Sequence, residues 1–170
     1  PISNLKIIKY DYYNFSKLNN DVVKNHIPND TELLLFCNDD IKILNDVLTI
    51  CVDLYNKNEK NIGTIGIRLH YSNAAIQHEG IKIKKVKNQQ YDISHRNLNE
   101  FFVNQNTDYI KTLGNTGAFL LINKNLFIQC EGFNENYIEC FEDVELNLKC
   151  LTFKKINLTS ILATAYHYES

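Results

Sequence analysis

Leu33-Leu34-Leu35-Phe36-Cys37-Asn38-Asp39-Asp40 is an apolar run that stops abruptly at two adjacent carboxylates. Such a run reads as a strand, and one so uniformly apolar is expected in the middle of a sheet. Open α/β sheets hold their ligands outside the carboxyl ends of their strands. The acids therefore stand where chemistry is expected. Two items farther along can join them: Phe141-Glu142-Asp143-Val144-Glu145, just ahead of a helical pattern, and His167 within Ala165-Tyr166-His167-Tyr168-Glu169-Ser170. Carboxylates with one imidazole suit a hard divalent cation and a separate general base.

Outward from that strand, Leu5-Lys6-Ile7-Ile8-Lys9-Tyr10 reads as a first strand, and Ser16 opens a helix with Leu18, Val22 and Val23 on one face. Ile27-Pro28-Asn29-Asp30 is a turn. After the acid-tipped strand, Leu44, Val47, Leu48, Cys51, Leu54 and Tyr55 recur with helical period. Strand, helix, strand, helix is α/β order. Residues 61–69 predict another strand, whose Gly63 and Gly66 mark tight packing. From His70 to about Asp108 the pattern is weakest. It holds a hairpin around 81–86, a polar loop with His95 and Arg96, and the pair Phe101-Phe102. Residues 117–122 return to a buried strand, and 123–130 form a short helix ending at Gly132. Val144, Leu148 and Leu151 line a helix that starts at the second acidic cluster, and 155–158 and 164–166 are the last strands. No repeat, low-complexity tract or linker divides the chain, so 1–170 reads as a single domain.

A chain of 170 residues with 44% hydrophobic content is long and apolar enough for a real core. Its net charge of −2 and pI of about 6.2 give no electrostatic pull toward nucleic acid or an anionic membrane. The basic run Lys82-Ile83-Lys84-Lys85-Val86-Lys87 reads as a strand with outward lysines that protect an edge. Five cysteines, Cys37, Cys51, Cys130, Cys140 and Cys150, are odd in number and lack CxxC spacing. That argues against a disulfide framework or a thiolate zinc site, and for a reducing compartment. With neither a signal-peptide pattern nor a transmembrane-length apolar stretch, a cytoplasmic location is expected, with the cytoplasmic face of a membrane open to it.

Six short segments, in order, carry a family resemblance. Asn14-Phe15-Ser16-Lys17-Leu18-Asn19-Asn20 resembles FN-S-x-x-N-N, and Leu35-Phe36-Cys37-Asn38-Asp39-Asp40 resembles the "lLFLNnD" form of a DxD motif. Ile76-Gln77-His78-Glu79-Gly80 is similar to "iQHaG". Gly117-Ala118-Phe119-Leu120-Leu121, Gly132-Phe133-Asn134-Glu135 and Glu142-Asp143-Val144-Glu145-Leu146 follow the order "tGAcLLi…GGFdE…nDvDLclr". Each alone is weak. Together, over nearly the whole chain, they resemble the family-two, GT-A-type glycosyltransferases, in particular the rhamnosyltransferase-like members that build bacterial surface polysaccharides.

The resemblance implies a GT-A (Rossmann-like) mixed sheet flanked by helices, and transfer of a sugar from a nucleotide-diphosphate donor to a glycan or lipid-linked acceptor, with inversion. It implies Mn2+ or Mg2+ held by Asp40 and His167 with Asp39 assisting, a base at Asp143 with Glu142 beside it, and donor or acceptor contacts at Asn38, His78 and Gly117. The chemistry is consistent with this, because a cation neutralises the charge that builds on a departing diphosphate. Blander readings stand beside each item: a turn and helix cap at residues 38–40, dipole-stabilising acids at Glu142 and Asp143, and an ordinary half-buried imidazole at His167. Family members begin with a strand-helix-strand unit carrying "sIIIPtyN" and "iivDdgSxD". This sequence enters after both. We therefore expect the C-terminal portion of a longer domain, a sheet incomplete at its N-terminal edge and open to self-association, and weak transfer by this piece alone. Two other functions compete: a non-catalytic glycan- or partner-binding module, and a glycoside hydrolase using Asp40 and Asp143 as its carboxylate pair.

Overall fold

The computed structural model describes residues 5–58, 61–86, 90–101, 103, 106–138 and 140–168. Lys87 of the basic run, Phe102 of the aromatic pair, and residues 1–4 and 169–170 lie outside them. In chain order the elements are α1 (Phe15–Asn25), β1 (Leu33–Cys37), β2 (Ile41–Ile43), α2 (Val47–Asn58), β3 (Ile62–His70), β4 (Ile76–His78), β5 (Ile81–Lys85), β6 (Tyr91–His95), β7 (Tyr109–Thr112), β8 (Phe119–Asn123), α3 (Lys124–Gln129), α4 (Glu142–Thr152) and β9 (Ile156–His167).

The main sheet runs β1-β8-β3-β9-β2, with β4 added to β3 and β7 to β9. Only the long β3–β9 pair is parallel; β1–β8, β3–β8, β3–β4, β7–β9 and β2–β9 are antiparallel. β9 lies along β3 on one side, while its other side meets β7 over 157–160 and then β2 over 165–167. β5 and β6 form a separate two-stranded hairpin. The architecture is a mixed sheet flanked by helices.

Side chains alternate across each strand, and this alternation sorts the core into two layers. Phe119 and Leu121 join a cluster under α2 with Val47, Cys51, Leu54 and Tyr55, while Leu120 and Ile122 join another under α1, α3 and α4. In that second layer Phe36 packs against Phe127 and Phe133, with ring centroids 5.1 and 4.8 Å apart. Buried aromatics of this kind are worth several times the strength of one hydrogen bond.

Four expectations need correction. β1 stands at one end of the sheet order rather than in its middle. Leu34 and Phe36 enter one core layer; on the opposite face Leu33 packs partly buried against the other layer while Leu35 is 37% exposed. Residues 5–10 form no strand; Leu5 and Ile7 are 73% and 76% exposed. Their alternation finds no neighbour to pair with, and a strand without a ladder is not stable. The two closing strands are one continuous β9, whose register against β3 jumps between Ser160 and Thr164. Finally, His95 belongs to strand β6 rather than a loop.

Candidate functional site

β1 ends at Cys37, and the backbone N–H of Asn38 is taken by the carbonyl of Ala118 at 3.0 Å. Three residues later the chain enters β2, which sets Ile41 opposite His167 of β9. The Tyr168 N–H then donates to the Asp40 carbonyl at 3.2 Å. This register brings the Asp40 carboxylate to the His167 ring: Oδ1 and Nε2 are 3.3 Å apart, each side chain only 13% exposed. The Asn38 amide nitrogen lies 3.4 Å from the same Nε2. Asp39 is exposed in the turn and does not line the neighbouring cleft.

The second acidic cluster opens α4. Phe141, at φ 78°, turns the chain into the helix in the left-handed region. Asp143 accepts the Gly117 N–H through Oδ2 at 2.8 Å and the Val144 N–H through Oδ1 at 2.7 Å. It thereby ties the helix start to the loop before β8. Glu142 is half-buried beside it, and burial, with a smaller contribution from the Asp143 charge, pushes its carboxyl above the usual glutamate range.

Beneath this junction lies a buried network of three asparagines and two threonines. Asn147 Oδ1 accepts from the Thr64 hydroxyl at 2.6 Å and the Asn115 N–H at 3.1 Å; its Nδ2 donates to the carbonyls of Asn115 and Asp143 at 2.8 and 2.7 Å. Asn115 in turn donates to Thr64 and to the Leu158 carbonyl and accepts from Thr159. Asn157 bridges Thr64 N–H to the carbonyls of Leu113 and Asn147. Every asparagine faces a glycine: a Cβ on Gly114 would stand 2.6 Å from that of Asn147, and Cβ atoms on Gly66 and Gly63 would strike Asn115 and Asn157. Close backbone approach is the reason for these glycines.

The histidines come together on β4, β6 and β9. His167 Nδ1 lies 2.8 Å from Gln77 Oε1, and the Gln77 amide nitrogen donates to the His167 carbonyl at 3.3 Å. His95 Nδ1 lies 2.9 Å from the Gln77 carbonyl. His78, expected beside the sugar, is 1% exposed; its ring meets that of His95 edge-on at 4.6 Å and its Nε2 faces the Thr116 N–H at 3.4 Å. Burial, reinforced by His95, holds its pKa well below the ordinary histidine value, so the ring is neutral. It supports the wall from beneath instead of lining it. The strand end carrying these residues is pinned by a buried ion pair between Arg68 and Glu79, whose second oxygen takes the Asn97 amide.

These parts surround one cleft of about 570 Å³, which Asn38, His95, Gly117, Glu142, Asp143 and His167 all line. Aromatic and apolar flanks come from Tyr13, Phe15, Ile93, Ile138 and Phe141. The structure thus brings together Asn38, Asp40, Gly117, Glu142, Asp143 and His167, with Asp40 reaching the cleft through His167. Gln77 and His95 complete the group without having been assigned a role from sequence. The signal was present: Gln77 is a wholly polar side chain inside a three-residue buried strand.

Asp40 and His167 suit a divalent cation as a pair. Because a glutamine oxygen can only accept, His167 carries a hydrogen on Nδ1, and in the neutral ring the Nε2 lone pair then faces a carboxylate oxygen. That 3.3 Å gap is bridged either by a second ring hydrogen, as an imidazolium–carboxylate pair, or by a cation. Adjacent ligands of an octahedral hard cation stand about 3 Å apart, close to this gap. Among the described residues no three His, Cys, Asp or Glu side chains form a metal-holding group, so the protein would supply two ligands and leave the others to water or a bound molecule.

No family model matches the chain. An uncharacterised protein, y4gI, of Sinorhizobium fredii (strain NBRC 101917 / NGR234) is 28% identical over 167 residues, a match covering 93% of this chain and 17% of that protein. Among solved structures, GalNAc-T7 with UDP, GalNAc and Mn2+ superposes with a TM-score of 0.67 at 9% identity, over 91% of this chain and 30% of the other. A197 from STIV aligns at a TM-score of 0.46 and 15% identity, over 83% and 60%. The chain spans less than a fifth of the curated relative and under a third of GalNAc-T7. Its fold is GT-A-like. No helix among the described residues is long and apolar enough to cross a membrane.

Proposed function

We propose that this chain is the C-terminal portion of a metal-dependent glycosyltransferase domain, rhamnosyltransferase-like, that moves a sugar from a nucleotide-diphosphate donor to a glycan or lipid-linked acceptor with inversion, in surface polysaccharide synthesis. The observation that carries the reading is the convergence of the Asp40–His167 pair and the Glu142–Asp143 pair on one cleft in a GT-A-like fold. The likeness to GalNAc-T7, solved with UDP, GalNAc and Mn2+, supports it in the same direction.

Asp40 and His167 would hold Mn2+ or Mg2+, which supplies Lewis acidity toward the departing diphosphate. Asn38, beside His167, offers its amide to the ribose or to an ordered water. Gly117 presents backbone without a side chain to the sugar. Glu142 and Asp143 face the cleft from the helix start; Asp143, oriented by two backbone N–H groups, would take the acceptor's proton, with Glu142, its carboxyl pushed above the usual glutamate range by burial, beside it. His78 and the asparagine network act from beneath by fixing the wall. The flanking aromatics shield the reacting groups from water.

The test is a titration of UDP against the protein with and without Mn2+, in wild type and Asp40→Ala. A metal-dependent affinity that falls by tenfold or more in the variant is expected. Equal affinity in all four conditions would refute the reading and leave a non-catalytic module. Cleavage of a glycan that persists in chelator would point to a hydrolase instead.

A further inference from the structure

Gln77 touches two of the three histidines around the cleft and neighbours the third in sequence, while being itself only 3% exposed. Its side chain makes a two-point clamp on His167: the amide nitrogen donates to the His167 carbonyl, which fixes the amide's orientation, and the amide oxygen is therefore the atom facing Nδ1. Its own carbonyl faces His95 Nδ1. Neither oxygen can donate, so each opposing ring nitrogen bears the hydrogen. In the neutral ring Nε2 is then bare, and both residues line the cleft. One is already committed to the Asp40 side; the other has no protein partner at Nε2 among the described residues.

We propose that Gln77 is a positioning residue that locks His95 and His167 in the Nδ1–H tautomer, so that His167 Nε2 is available to a divalent cation and His95 Nε2 accepts a hydroxyl hydrogen of the sugar ligand. The identity of those ligands rests on the function proposed above; the tautomer lock does not. The two arms of the lock differ in kind. His167 is held by the side chain of residue 77 and His95 by its backbone, so a side-chain substitution separates them. Second-shell partners of this type raise ligand basicity and fix ring orientation, and their loss weakens metal binding by about 10–100-fold.

The experiment is long-range 1H–15N correlation of the histidine rings at about pH 8, where histidines of ordinary pKa are neutral, in wild type, Gln77→Leu and Gln77→Glu. Both His95 and His167 are expected as Nδ1–H tautomers in wild type. In Gln77→Leu His167 should move to the Nε2–H form or a mixture while His95 stays unchanged, and in Gln77→Glu, which keeps an acceptor, His167 should keep its tautomer. Mn2+ affinity, followed by line broadening of the same signals, should fall by about 10–100-fold in Gln77→Leu. An Nε2–H tautomer at either ring in wild type would overturn the proposal, even if Gln77→Leu failed to fold. So would a folded Gln77→Leu in which His167 is unmoved. If the tautomers are as stated but wild type binds neither Mn2+ nor UDP, the lock stands and the functional reading above falls.

Discussion

Replacing Asn147 with leucine, a side chain of similar size, tests whether the buried polar network holds the second acidic cluster in place. The asparagine makes four hydrogen bonds, one for each donor and acceptor position its amide has. Leucine would strand the Asn115 N–H, the Asn115 carbonyl and the Thr64 hydroxyl, none of which has another partner in the same role among the described residues and all of which belong to residues 0% exposed. A buried polar group left unsatisfied costs about 1–3 kcal/mol. With some relaxation the total is about 3–5 kcal/mol, a large share of the roughly 5–15 kcal/mol that holds a domain together. The thermal midpoint should drop by about 6–20 °C, at about 2–4 °C per kcal/mol for a domain of this size. A double-mutant cycle sharpens the argument. In Thr64→Val the hydroxyl that Asn147 receives is already gone, so the double variant should lose about 1–2 kcal/mol less than the sum of the singles. A loss below about 1 kcal/mol for Asn147→Leu, or strict additivity in the cycle, would refute the network as the support of this junction.

Four further outcomes follow from the same structure. Glu79→Gln, which leaves Arg68 without its buried carboxylate, should destabilise by about 3–5 kcal/mol in chemical denaturation, whereas an exposed ion-pair change such as Lys149→Gln should cost under about 1 kcal/mol. Glu142 has a raised pKa in the folded state, so its contribution to stability is complete below the unfolded glutamate pKa and is lost as pH rises through the folded value; Glu142→Gln should therefore gain on wild type from about pH 4.5 upward, as read from urea midpoints across pH, and a pH-independent difference would contradict this. Gly66→Ala should destabilise the protein by more than about 2 kcal/mol because the new methyl meets Asn115, while Gly117→Ala, whose nearest neighbour is the tip of Phe15 at 3.2 Å, should stay within about 1 kcal/mol in a thermal melt yet weaken UDP-sugar binding. Cys130 and Cys150, buried with sulfurs 3.9 Å apart, should react with a maleimide only after denaturation, whereas the exposed Cys37 reacts in the native state.

Much of this architecture is legible in the sequence where local pattern and tertiary demand agree. The acid-tipped strand, the α2 and α4 helices and the long 61–69 strand all follow from periodicity and breakers, whereas the hairpin expected within 81–86 is a single strand, β5, whose partner β6 lies at 91–95. Two of the quoted motifs turn out to recognise each other: Asn20, from the first, takes the Phe133 N–H and gives its amide to the Phe133 carbonyl, from the fifth. What the sequence hides is whatever depends on partners far along the chain. β2 and β7 are three and four residues long, and their strand character comes from lying against β9 rather than from their own composition. The edge position of β1 is invisible because Leu33 and Leu35 keep the run uniformly apolar although Leu35 is 37% exposed, which gives an edge strand the composition of a central one. At the site, the carboxylates and His167 are recognisable types in recognisable places. Gln77 and the asparagine network are not, since an amide's role lies in its contacts and not in its identity.

One consequence of the sheet order reaches the site directly. β1 and β2 occupy opposite ends of the series β1-β8-β3-β9-β2, yet only Asn38, Asp39 and Asp40 join them. Four peptide steps reach at most about 15 Å, whereas four strand spacings laid flat would need about 19 Å. The ribbon must curl upon itself at this corner, and the short tether is what draws the far rims together around the cleft. Deleting one link there should pull β2 away from His167 and part the Asp40 carboxylate from the imidazole by simple shortage of rope.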